Sequence, residues 1–593
     1  MVLIILGTNT PRNIVRSALK CKTDLRGLSR RSHATSNVPS SASSVAFKKN
    51  KWIRPSDTNP CVISSVLDIE PTSSVTIPEF LRSNLHKWEN APAFECAVTG
   101  RTYTHGQVHR KSQSFAAALK QHGLGRREAV CILLPNIPEY PIVALGIWDA
   151  GLVVSPINPA YTVAEIGKQV ADCGGKVMVT IAQLLPAVEK VLEGSPTLKS
   201  VVVVGEAGGH HSFFDMLNTD VSSATFLRGS DINTLRETAV LPYSSGTTGT
   251  PKGVELTHST YTTNLMQITH PGYRLTQFFD GGSPQERLFA LPPFFHIYGL
   301  QVILGSTLHQ GGHTLCFPSF EPASFIKGIK QHRPTVLHLV TPLISFLCQS
   351  PEITPDDLKH TRGTVAGAAP IGKTLIERFI TKFDQYMFFQ EGFGMTELGV
   401  SHLIPPEMKN SRAGSCGILV TGTTSKIVDN ELGRVVGPHH PGEICVRGPQ
   451  AMKGYFQNEK ATLDTIDSEG FIKTGDIGYY DEEGFLYIVD RLKELIKVKG
   501  LQVAPAELEN VLRQHPDIAD VAVIGVPHER WGEVPRAYVV PKSKRLRESS
   551  VNSFLKDKVA EHKRLVGGVE FIDVIPKAAS GKILRRVLKS RFE

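Results

Sequence analysis

The chain has 593 residues, of which 41% are hydrophobic and 20% charged, and its formal net charge is +9. The composition is that of a globular protein and not of a disordered one, and the length predicts three or four domain-sized units around separate cores. Residues 1–50 carry eight of the nine net positive charges, so the near-neutral remainder gives no reason to expect nucleic-acid binding.

Residues 1–50 form a basic leader that is rich in Arg, Ser and Lys. Arg12, Arg16 and Lys20 recur at a spacing that would place them on one helix face, as in a mitochondrial transit peptide. A disordered basic tail and a stretch upstream of the true initiation site are the alternatives. The apolar run at 2–6 is too short for a secretory signal, and the last residues lack the Ser-Lys-Leu peroxisomal address. We expect mitochondrial localisation, with a cytoplasmic or a peroxisomal location as alternatives.

Short β-branched runs alternate with helical patterns from about Val75, where the folded body is expected to begin. The predicted strands lie at 129–134, 175–180, 198–204 and 239–241, and the predicted helices at 102–118, 142–150 and 163–171. This alternation predicts parallel α/β layers. The most apolar region, 129–154, is interrupted by prolines and charged residues, so no transmembrane segment is expected.

The nine cysteines are scattered along the chain, and none forms a Cys-x-x-Cys pair. Such a dispersed, odd set is typical of reduced thiols and not of a disulfide framework or a zinc site. Core packing is therefore the predicted role of these residues.

The character of the sequence changes near Asp490, where a highly charged run precedes a compact α+β pattern. In that pattern we predict helices at 504–514 and 551–560 and strands at 521–526 and 536–540. A domain boundary is therefore expected here, with an N-terminal domain over 75–490 and a C-terminal domain over 491–593.

A segment rich in glycine and hydroxyl residues, 243–254, follows the predicted strand at 239–241. Glycine lets the backbone close around an anion, hydroxyl and N–H groups donate to phosphate oxygens, and a lysine adds positive charge. The spacing differs from the Walker pattern, so this is a phosphate loop of another kind. The residues predicted to contact phosphate are Ser244, Ser245, Gly246, Thr247, Thr248, Gly249 and Lys252.

The string Ser-Ser-Gly-Thr-Thr-Gly-Thr-Pro-Lys-Gly at 244–253 resembles the signature of the acyl-adenylate-forming, or AMP-binding, superfamily. That group includes acyl-CoA synthetases, 4-coumarate–CoA ligases, beetle luciferases and peptide-synthetase adenylation domains. The resemblance runs from about Ile77 to Arg586. It implies an α/β fold, with a large N-terminal domain of two layered α/β subdomains plus a distorted β-barrel, and a small mobile α+β C-terminal domain.

The resemblance also implies an ATP-dependent carboxylic acid–CoA ligase that uses ATP, Mg²⁺ and coenzyme A. The carboxylate attacks the α-phosphate of ATP and expels pyrophosphate, and the thiol then attacks the acyl-adenylate and expels AMP. Closing and reopening of the C-terminal domain would exclude water from the hydrolysable adenylate.

Further motifs resemble the family's nucleotide-binding segments. By this resemblance Thr396 contacts the α-phosphate, Glu397 helps to hold Mg²⁺, and Phe393 covers the adenine. Asp476 would accept hydrogen bonds from the ribose hydroxyls, and Arg491 would reach the nucleotide. The other residues implied at the nucleotide are Gly367, Ala368, Ala369, Glu391 and Gly392.

Two lysines are implied for the two half-reactions. Lys582 would bridge carboxylate and α-phosphate oxygens during adenylation, and Lys497 would serve the thiolation step. His296 would gate the acyl pocket, and Tyr298 would line it. The hinge and the remaining thiolation residues implied by the resemblance are Lys493, Lys499, Gly500 and Gln502.

The chain departs from the plant 4-coumarate–CoA ligases at several positions. Glu391 stands where they have glutamine, Val365 where a lysine lies in the hydroxycinnamate pocket, and Ser319 where a lysine is associated with CoA. These departures leave the nucleotide chemistry intact. An apolar pocket would suit a fatty acid or an unhydroxylated aryl acid better than coumarate.

Three other functions remain open: a luciferase-type monooxygenase, an adenylation enzyme that charges a carrier protein, and a non-catalytic nucleotide-binding protein. Beetle luciferases carry a second histidine near the position of His296, where this chain has Phe295 and Ile297. This difference weakens the luciferase hypothesis. Too few residues follow Lys582 for a carrier domain, which weakens the second. The charged residues of the motifs are all present, which weakens the third.

Overall fold

The computed structural model describes residues 47–244, 251–367, 371, 373–383, 387–409, 412, 414–498, 501–556, 558–578 and 581–592. The strands in this part of the chain are, in order, β1 (Ile53–Pro55), β2 (Val62–Ser65), β3 (Pro92–Cys96), β4 (Thr102–Thr104), β5 (Ala129–Leu133), β6 (Val153–Pro156), β7 (Val177–Ile181), β8 (Ser200–Val204), β9 (His211–Ser212), β10 (Thr238–Val240), β11 (Tyr243–Ser244), β12 (Lys252–Thr257), β13 (Arg287–Ala290), β14 (His313–Cys316), β15 (Val336–Leu339), β16 (Gly363–Ala366), β17 (Phe388–Met395), β18 (Gly399–Leu403), β19 (Ile418–Leu419), β20 (Thr424–Val428), β21 (Val435–Val436), β22 (Gly442–Arg447), β23 (Gly454–Tyr455), β24 (Ile472–Tyr480), β25 (Leu486–Arg491), β26 (Ile496–Val498), β27 (Leu501–Val503), β28 (Ile518–His528), β29 (Gly532–Pro541) and β30 (Val569–Phe571).

The α-helices of the same residues follow in chain order. They are α1 (Ile77–Arg82), α2 (His105–Gln121), α3 (Tyr140–Asp149), α4 (Val163–Cys173), α5 (Leu185–Gly194), α6 (Phe213–Met216), α7 (His258–Ile268), α8 (Ser306–Gln310), α9 (Pro322–His332), α10 (Thr341–Gln349), α11 (Lys373–Phe383), α12 (Glu459–Thr465), α13 (Pro505–Leu512), α14 (Glu548–Lys556) and α15 (Arg585–Phe592). A π-helical segment, Tyr298–Gly305, leads directly into α8.

The first α/β layer is a nine-stranded sheet in the order β11-β12-β10-β6-β5-β7-β8-β9, with β23 paired to β12. Its centre, from β10 to β9, is parallel, and β5 to β8 are almost wholly buried. Val- and Ile-rich strands buried on both faces are the sequence signature of a parallel sheet covered by helices. The predicted parallel α/β layers are therefore confirmed.

Local capping signals explain where the first helices begin and end. Helix α2 was expected from residue 102 but begins at His105, because residues 102–104 form β4 and the Thr104 side chain caps the helix. Helix α4 likewise begins after a capping box at Thr162 and is terminated by the C-cap residue Gly174, whose φ of 63° is the left-handed conformation that glycine adopts without strain.

The second α/β layer consists of two sheets that adjoin each other. A four-stranded sheet, β13-β14-β3-β4, lies beside a five-stranded sheet, β15-β16-β17-β18-β19. The two meet where the Thr335 backbone N–H donates to the Arg287 carbonyl, at 2.9 Å. Strands β15, β16 and β17 run parallel, so their carboxyl ends lie at one edge, where α/β proteins bind ligands.

The expected distorted barrel corresponds to a seven-stranded sheet in the order β1-β2-β20-β22-β24-β25, with β21 paired to β20. Within the described ranges this sheet has two ends, and no strand pairing closes it. Strands β1 and β2 precede Val75, so the folded body includes residues that were expected to lie before it. Buried side chains such as Trp52 and Ile53 pack there into the main core.

The residues after β25 form a small α+β unit around the sheet β27-β26-β29-β28, with β30 paired to β29. Its side chains form hydrophobic clusters separate from those of the large N-terminal part. The long antiparallel hairpin β28–β29 extends beyond the predicted strands at both ends because its pairing continues to Gly532. The domain boundary near Asp490 stays a prediction.

The eight cysteines among the described residues are free thiols. No helix of the described residues is long and apolar enough to cross a membrane.

Candidate active site

The phosphate segment, residues 243–254, begins on β11 and ends on β12, and these two strands pair as a short antiparallel hairpin. Ser244 on β11 faces Lys252 on β12 across this hairpin, and the Lys252 ammonium lies 4.9 Å from the centre of the Tyr455 ring. A cation over an aromatic face is held by the ring quadrupole, so the lysine has a defined place at the base of the segment. The predicted phosphate residues between them, Ser245, Gly246, Thr247, Thr248 and Gly249, lie outside the described residues.

Glu397 is buried in the turn that follows β17, next to Thr396. Its Oε1 accepts hydrogen bonds from the Ser244 hydroxyl at 2.7 Å and from the Tyr455 hydroxyl at 2.9 Å. These two donors hold the carboxylate close to Ser244 and Lys252, and so beside the phosphate segment. The predicted metal residue therefore has a fixed orientation.

The donor set around Glu397 fits Mg²⁺. The described residues contain no group of three or more His, Cys, Asp or Glu side chains that could enclose a metal ion. Mg²⁺ is commonly held by one or two carboxylates, substrate phosphates and water, so a single oriented carboxylate beside a phosphate segment suffices. Glu397 is the residue that would hold it.

Tyr455 is a residue of this site that the sequence analysis missed. It lies on β23, which pairs with β12 and so joins the phosphate hairpin from a distant part of the chain. The tyrosine contacts Glu397 through its hydroxyl and Lys252 through its ring. Only a local Gly-Tyr pair marks it in the sequence, and that pair carries no sign of the strand pairing.

The predicted adenine residues lie at the carboxyl ends of β16 and β17. A Cβ on Gly367 would lie 3.4 Å from the carbonyl oxygen of Gly392, so the two strands leave little room for larger residues here. Phe393 is 9% exposed. Ala368 and Ala369 lie outside the described residues.

Glu391 is a buried carboxyl group on β17. Burial raises its pKa to about 8, and a hydrogen bond from the Gly414 backbone N–H to Oε2, at 3.1 Å, opposes this only in part. At neutral pH the group is therefore protonated. A neutral carboxyl group resembles the side-chain amide of glutamine, the residue that the plant ligases have here.

Asp476 and Arg491 face each other on β24 and β25, with Arg491 Nε 3.3 Å from Asp476 Oδ1. Burial raises the pKa of Asp476, and the positive charges of Arg491 and Lys582 oppose the shift. The structure thus brings together the carboxylate predicted for the ribose and the arginine predicted for the nucleotide.

Lys582 joins this pair from the last segment of the chain. Burial lowers its pKa to about 8, and the Arg491 charge adds to the shift, while Glu494 and Asp476 oppose it. Its charge also lowers the pKa of His296, which burial brings to about 4. Lys582 therefore lies within electrostatic reach of both the nucleotide residues and the cavity that His296 lines.

The neighbouring Gly581 shows how closely this segment approaches the large domain. Its φ of 81° is left-handed, and a Cβ there would lie 2.9 Å from Cδ of Pro342 at the start of α10. Glycine is required both by the backbone conformation and by this close contact.

A cavity opens beside His296 and Tyr298, with an empty volume of about 930 Å³ that includes space open to solvent. The Tyr298 hydroxyl lies 3.1 Å from Nδ1 of His338 and 3.3 Å from the carbonyl oxygen of Val365. Burial lowers the pKa of His338 to about 4, so both histidines are neutral at pH 7. Val365 lies in the cavity wall, as the departure from the plant ligases implied.

The residues predicted for thiolation are not part of this cluster. Lys497 on β26 and Gln502 on β27 are exposed, and neither lines the cavity. Lys493 is exposed at the turn after β25, and Lys499 and Gly500 lie outside the described residues. The arrangement presents Lys582, and not Lys497, to the predicted nucleotide residues.

Comparisons with known proteins find relatives over most of the chain. The model of a family described as "AMP-binding enzyme" matches residues 81–456, and that of the "AMP-binding enzyme C-terminal domain" matches residues 507–582. The 4-coumarate–CoA ligase 3 of Oryza sativa subsp. japonica is 37% identical over 89% of this chain and 94% of its own. The 4-coumarate–CoA ligase of Pinus taeda is 36% identical over 89% of this chain and 97% of its own.

Solved structures with the same architecture include enzymes with bound nucleotide or adenylate. The ATP-bound MatB from Rhodopseudomonas palustris has a TM-score of 0.79 and 26% identity over 88% of this chain and 99% of its own. The anthranilate CoA ligase AuaEII, in complex with anthranoyl-AMP, has a TM-score of 0.78 and 25% identity over 88% of this chain and 98% of its own.

Proposed function

The chain belongs to the AMP-binding enzyme family, and on that basis we propose that it is an ATP-dependent carboxylic acid–CoA ligase. The reaction forms an acyl-adenylate and pyrophosphate from the acid and ATP, and then acyl-CoA and AMP from the adenylate and coenzyme A. The relatives named as 4-coumarate–CoA ligases, which align over nearly their whole length, support this reaction class.

The observation that carries the proposal is the position of Lys582. This cation lies within electrostatic reach of Asp476 and Arg491, which are predicted to contact the nucleotide, and of His296, which lines the cavity. Adenylation brings an acid carboxylate against the α-phosphate, so the main task of the protein is to screen two anions and align them. A partly desolvated ammonium at their meeting point performs that task.

The other charged groups supply the rest of the first half-reaction. Lys252 neutralises phosphate charge and Asp476 accepts hydrogen bonds from the ribose. Burial raises the pKa of Asp476, and the positive charge of Arg491 beside it opposes that shift. Mg²⁺ held by Glu397 would neutralise further phosphate charge. The second half-reaction requires the C-terminal domain to turn and present Lys497 in place of Lys582.

The acid that we propose is a fatty or aryl acid. Apolar side chains form most of the cavity wall, and one of them is Val365, which the family resemblance aligns with a lysine of the hydroxycinnamate pocket. An apolar wall binds alkyl or aryl surface through burial, and the Val365 side chain offers a phenol hydroxyl no hydrogen-bond partner.

The proposal is tested by pyrophosphate release from the purified protein with Mg-ATP and a panel of acids, with and without CoA. The panel holds short, medium and long fatty acids, benzoates, cinnamates and luciferin. We expect CoA-dependent turnover on the fatty or aryl acids and loss of turnover in Lys582→Ala. Adenylate formation without any stimulation by CoA would favour a carrier-charging or luciferase-type enzyme. No pyrophosphate release with any acid would favour a non-catalytic protein.

We also propose that residues 1–50 direct the protein to mitochondria, on the strength of their basic, acid-poor composition. A reporter protein fused to these residues should enter mitochondria. The same fusion with Arg12, Arg16 and Lys20 changed to Gln should stay in the cytosol. A wild-type fusion found in the cytosol or in peroxisomes would overturn the assignment.

A further inference from the structure

Arg274 is the only charged side chain among the described residues that line the acyl cavity. The described part of that wall contains no Asp or Glu, and burial keeps its two histidines, His296 and His338, neutral at pH 7. A single permanent positive charge therefore lies in an otherwise largely apolar cavity.

This charge lies at the end of the cavity remote from the nucleotide residues. Strand β16 runs along the wall, and Gly367, just after its carboxyl end, is beside Gly392 and the predicted adenine site. The first residue of β16, Gly363, lies against Leu275, which is adjacent to Arg274 in the sequence. At about 3.3 Å per residue these ends of the strand are roughly 13 Å apart, which leaves room for an extended acyl or aryl chain.

Three other polar side chains in the wall have partners within the protein. Gln390 donates through Nε2 to the carbonyl oxygens of Tyr273 and Ile404, and Gln301 donates to that of Tyr261. The Thr276 hydroxyl donates to the side-chain oxygen of Gln310. These donors are therefore engaged before any ligand enters.

Arg274 differs from them. Its guanidinium carbon lies 5.2 Å from the centre of the Phe278 ring, and it forms no ion pair with a carboxylate in the part of the chain that the structure describes. Stacking on an aromatic face orients the guanidinium plane but leaves its N–H groups available. Arginine has five such donors in a fixed fork that matches a carboxylate.

We propose that Arg274 binds a second carboxylate of the acid, so that the preferred substrate is a dicarboxylic acid activated at its other end. This inference rests on the proposed ligase function and specifies its substrate class. The apolar middle of the cavity holds the carbon chain, His296 and Lys582 lie at the reacting carboxylate, and Arg274 pairs with the distal one. A monocarboxylic acid would place a methyl group or ring edge against an arginine without a counterion.

The test compares α,ω-dicarboxylic, ω-hydroxy and monocarboxylic acids of equal carbon number in the pyrophosphate-release assay. The variants are Arg274→Met, which keeps the apolar stem, and Arg274→Lys, which keeps the charge but loses the fork. Arg236→Met, at an exposed arginine that does not line the cavity, is the matched control.

We expect the wild-type protein to prefer the dicarboxylic acid at the chain length that spans the cavity. Arg274→Met should lower kcat/KM for that acid about 10- to 100-fold, the effect of one lost charge-assisted contact, and change the monocarboxylic acid less than about twofold. Arg274→Lys should keep part of the preference, and Arg236→Met all of it.

An equal loss on both acids in Arg274→Met would show a structural role and overturn the inference. A wild-type preference for the monocarboxylic or the ω-hydroxy acid would overturn it as well, while leaving the ligase function in place. If the wild-type protein activates none of the acids, the proposed function fails and the substrate class fails with it.

Discussion

Lys582 is a cation whose pKa has been lowered to about 8, chiefly by burial. Its charged form exists below that pKa, so kcat/KM for ATP in the adenylation half-reaction should fall about tenfold per pH unit above pH 8. Arginine stays charged at higher pH, so the fall of kcat/KM above pH 8, the alkaline limb of the profile, should be flatter in Lys582→Arg. This holds whatever the absolute rate of the variant. The measurement is the pH profile of pyrophosphate release.

The control for this profile is Lys577→Arg. Lys577 lies in the same segment but forms an ion pair with Asp520. That variant should keep the wild-type alkaline limb. An unchanged limb in Lys582→Arg would assign the titration to another group.

Tyr455 links Glu397, the carboxylate proposed to hold Mg²⁺, to Lys252, the lysine proposed to contact phosphate. Tyr455→Phe removes the hydrogen bond to Glu397 and keeps the ring under Lys252. We expect kcat/KM for ATP to fall about 5- to 10-fold, since a buried carboxylate loses one donor, and the Mg²⁺ concentration for half-maximal rate to rise. Tyr538→Phe, at a buried tyrosine that donates to the Leu588 carbonyl in the C-terminal unit, should change neither quantity. A Tyr455→Phe variant with the wild-type Mg²⁺ dependence would contradict a positioning role.

At the scale of elements, the segment that carries Lys582 packs against the start of α10 through Gly581. Gly581→Ala adds a Cβ that meets Pro342 and places a side chain at a left-handed φ, which costs about 1–2 kcal/mol. Adenylation should therefore slow at least about tenfold. Thiolysis of pre-formed adenylate should slow less, because it uses another orientation of the domain. Rapid-quench assays of the separate half-reactions measure both.

The matched control is Gly568→Ala. Gly568 has a φ of 88° in the same C-terminal unit, and a Cβ there would meet no atom closer than 3.6 Å. It carries the same backbone strain without the contact to α10. If both variants lose adenylation equally, strain and not the domain contact is the cause.

At the scale of the whole molecule, the ligase function requires one small domain to serve two reactions. Lys582→Ala should slow adenylation at least about 100-fold and leave thiolysis of pre-formed adenylate mostly intact, because it removes a partly buried charge–anion contact. Lys497→Ala should do the reverse. The exposed Lys556→Ala, on α14, is the control for both. Equal losses in the two half-reactions for either variant would rule out the rotation.

Much of the fold could be read from the sequence. The strands β5, β7 and β8 and the helix α4 lie within a few residues of their predicted positions, because β-branched runs and capping residues act over short distances. The element ends were less predictable: Thr104 ends β4 and caps α2, so the helix starts three residues late. No local sequence pattern predicted that β1 pairs with β2, or that β2 pairs with β20 in the seven-stranded sheet.

The candidate site likewise has residues that the sequence predicted and contacts that only the structure revealed. The sequence by itself predicted the reaction class and the nucleotide residues, because Lys252, Glu397, Asp476 and Lys582 each lie in a short motif that resembles the family's. Tertiary structure alone decided that Tyr455 contacts Glu397 and Lys252, and that Arg274 lies at the far end of the acyl cavity. The physical reason is that a motif consists of residues that are neighbours in the sequence, whereas a carboxylate clamp and a cavity wall form only when distant strands pair.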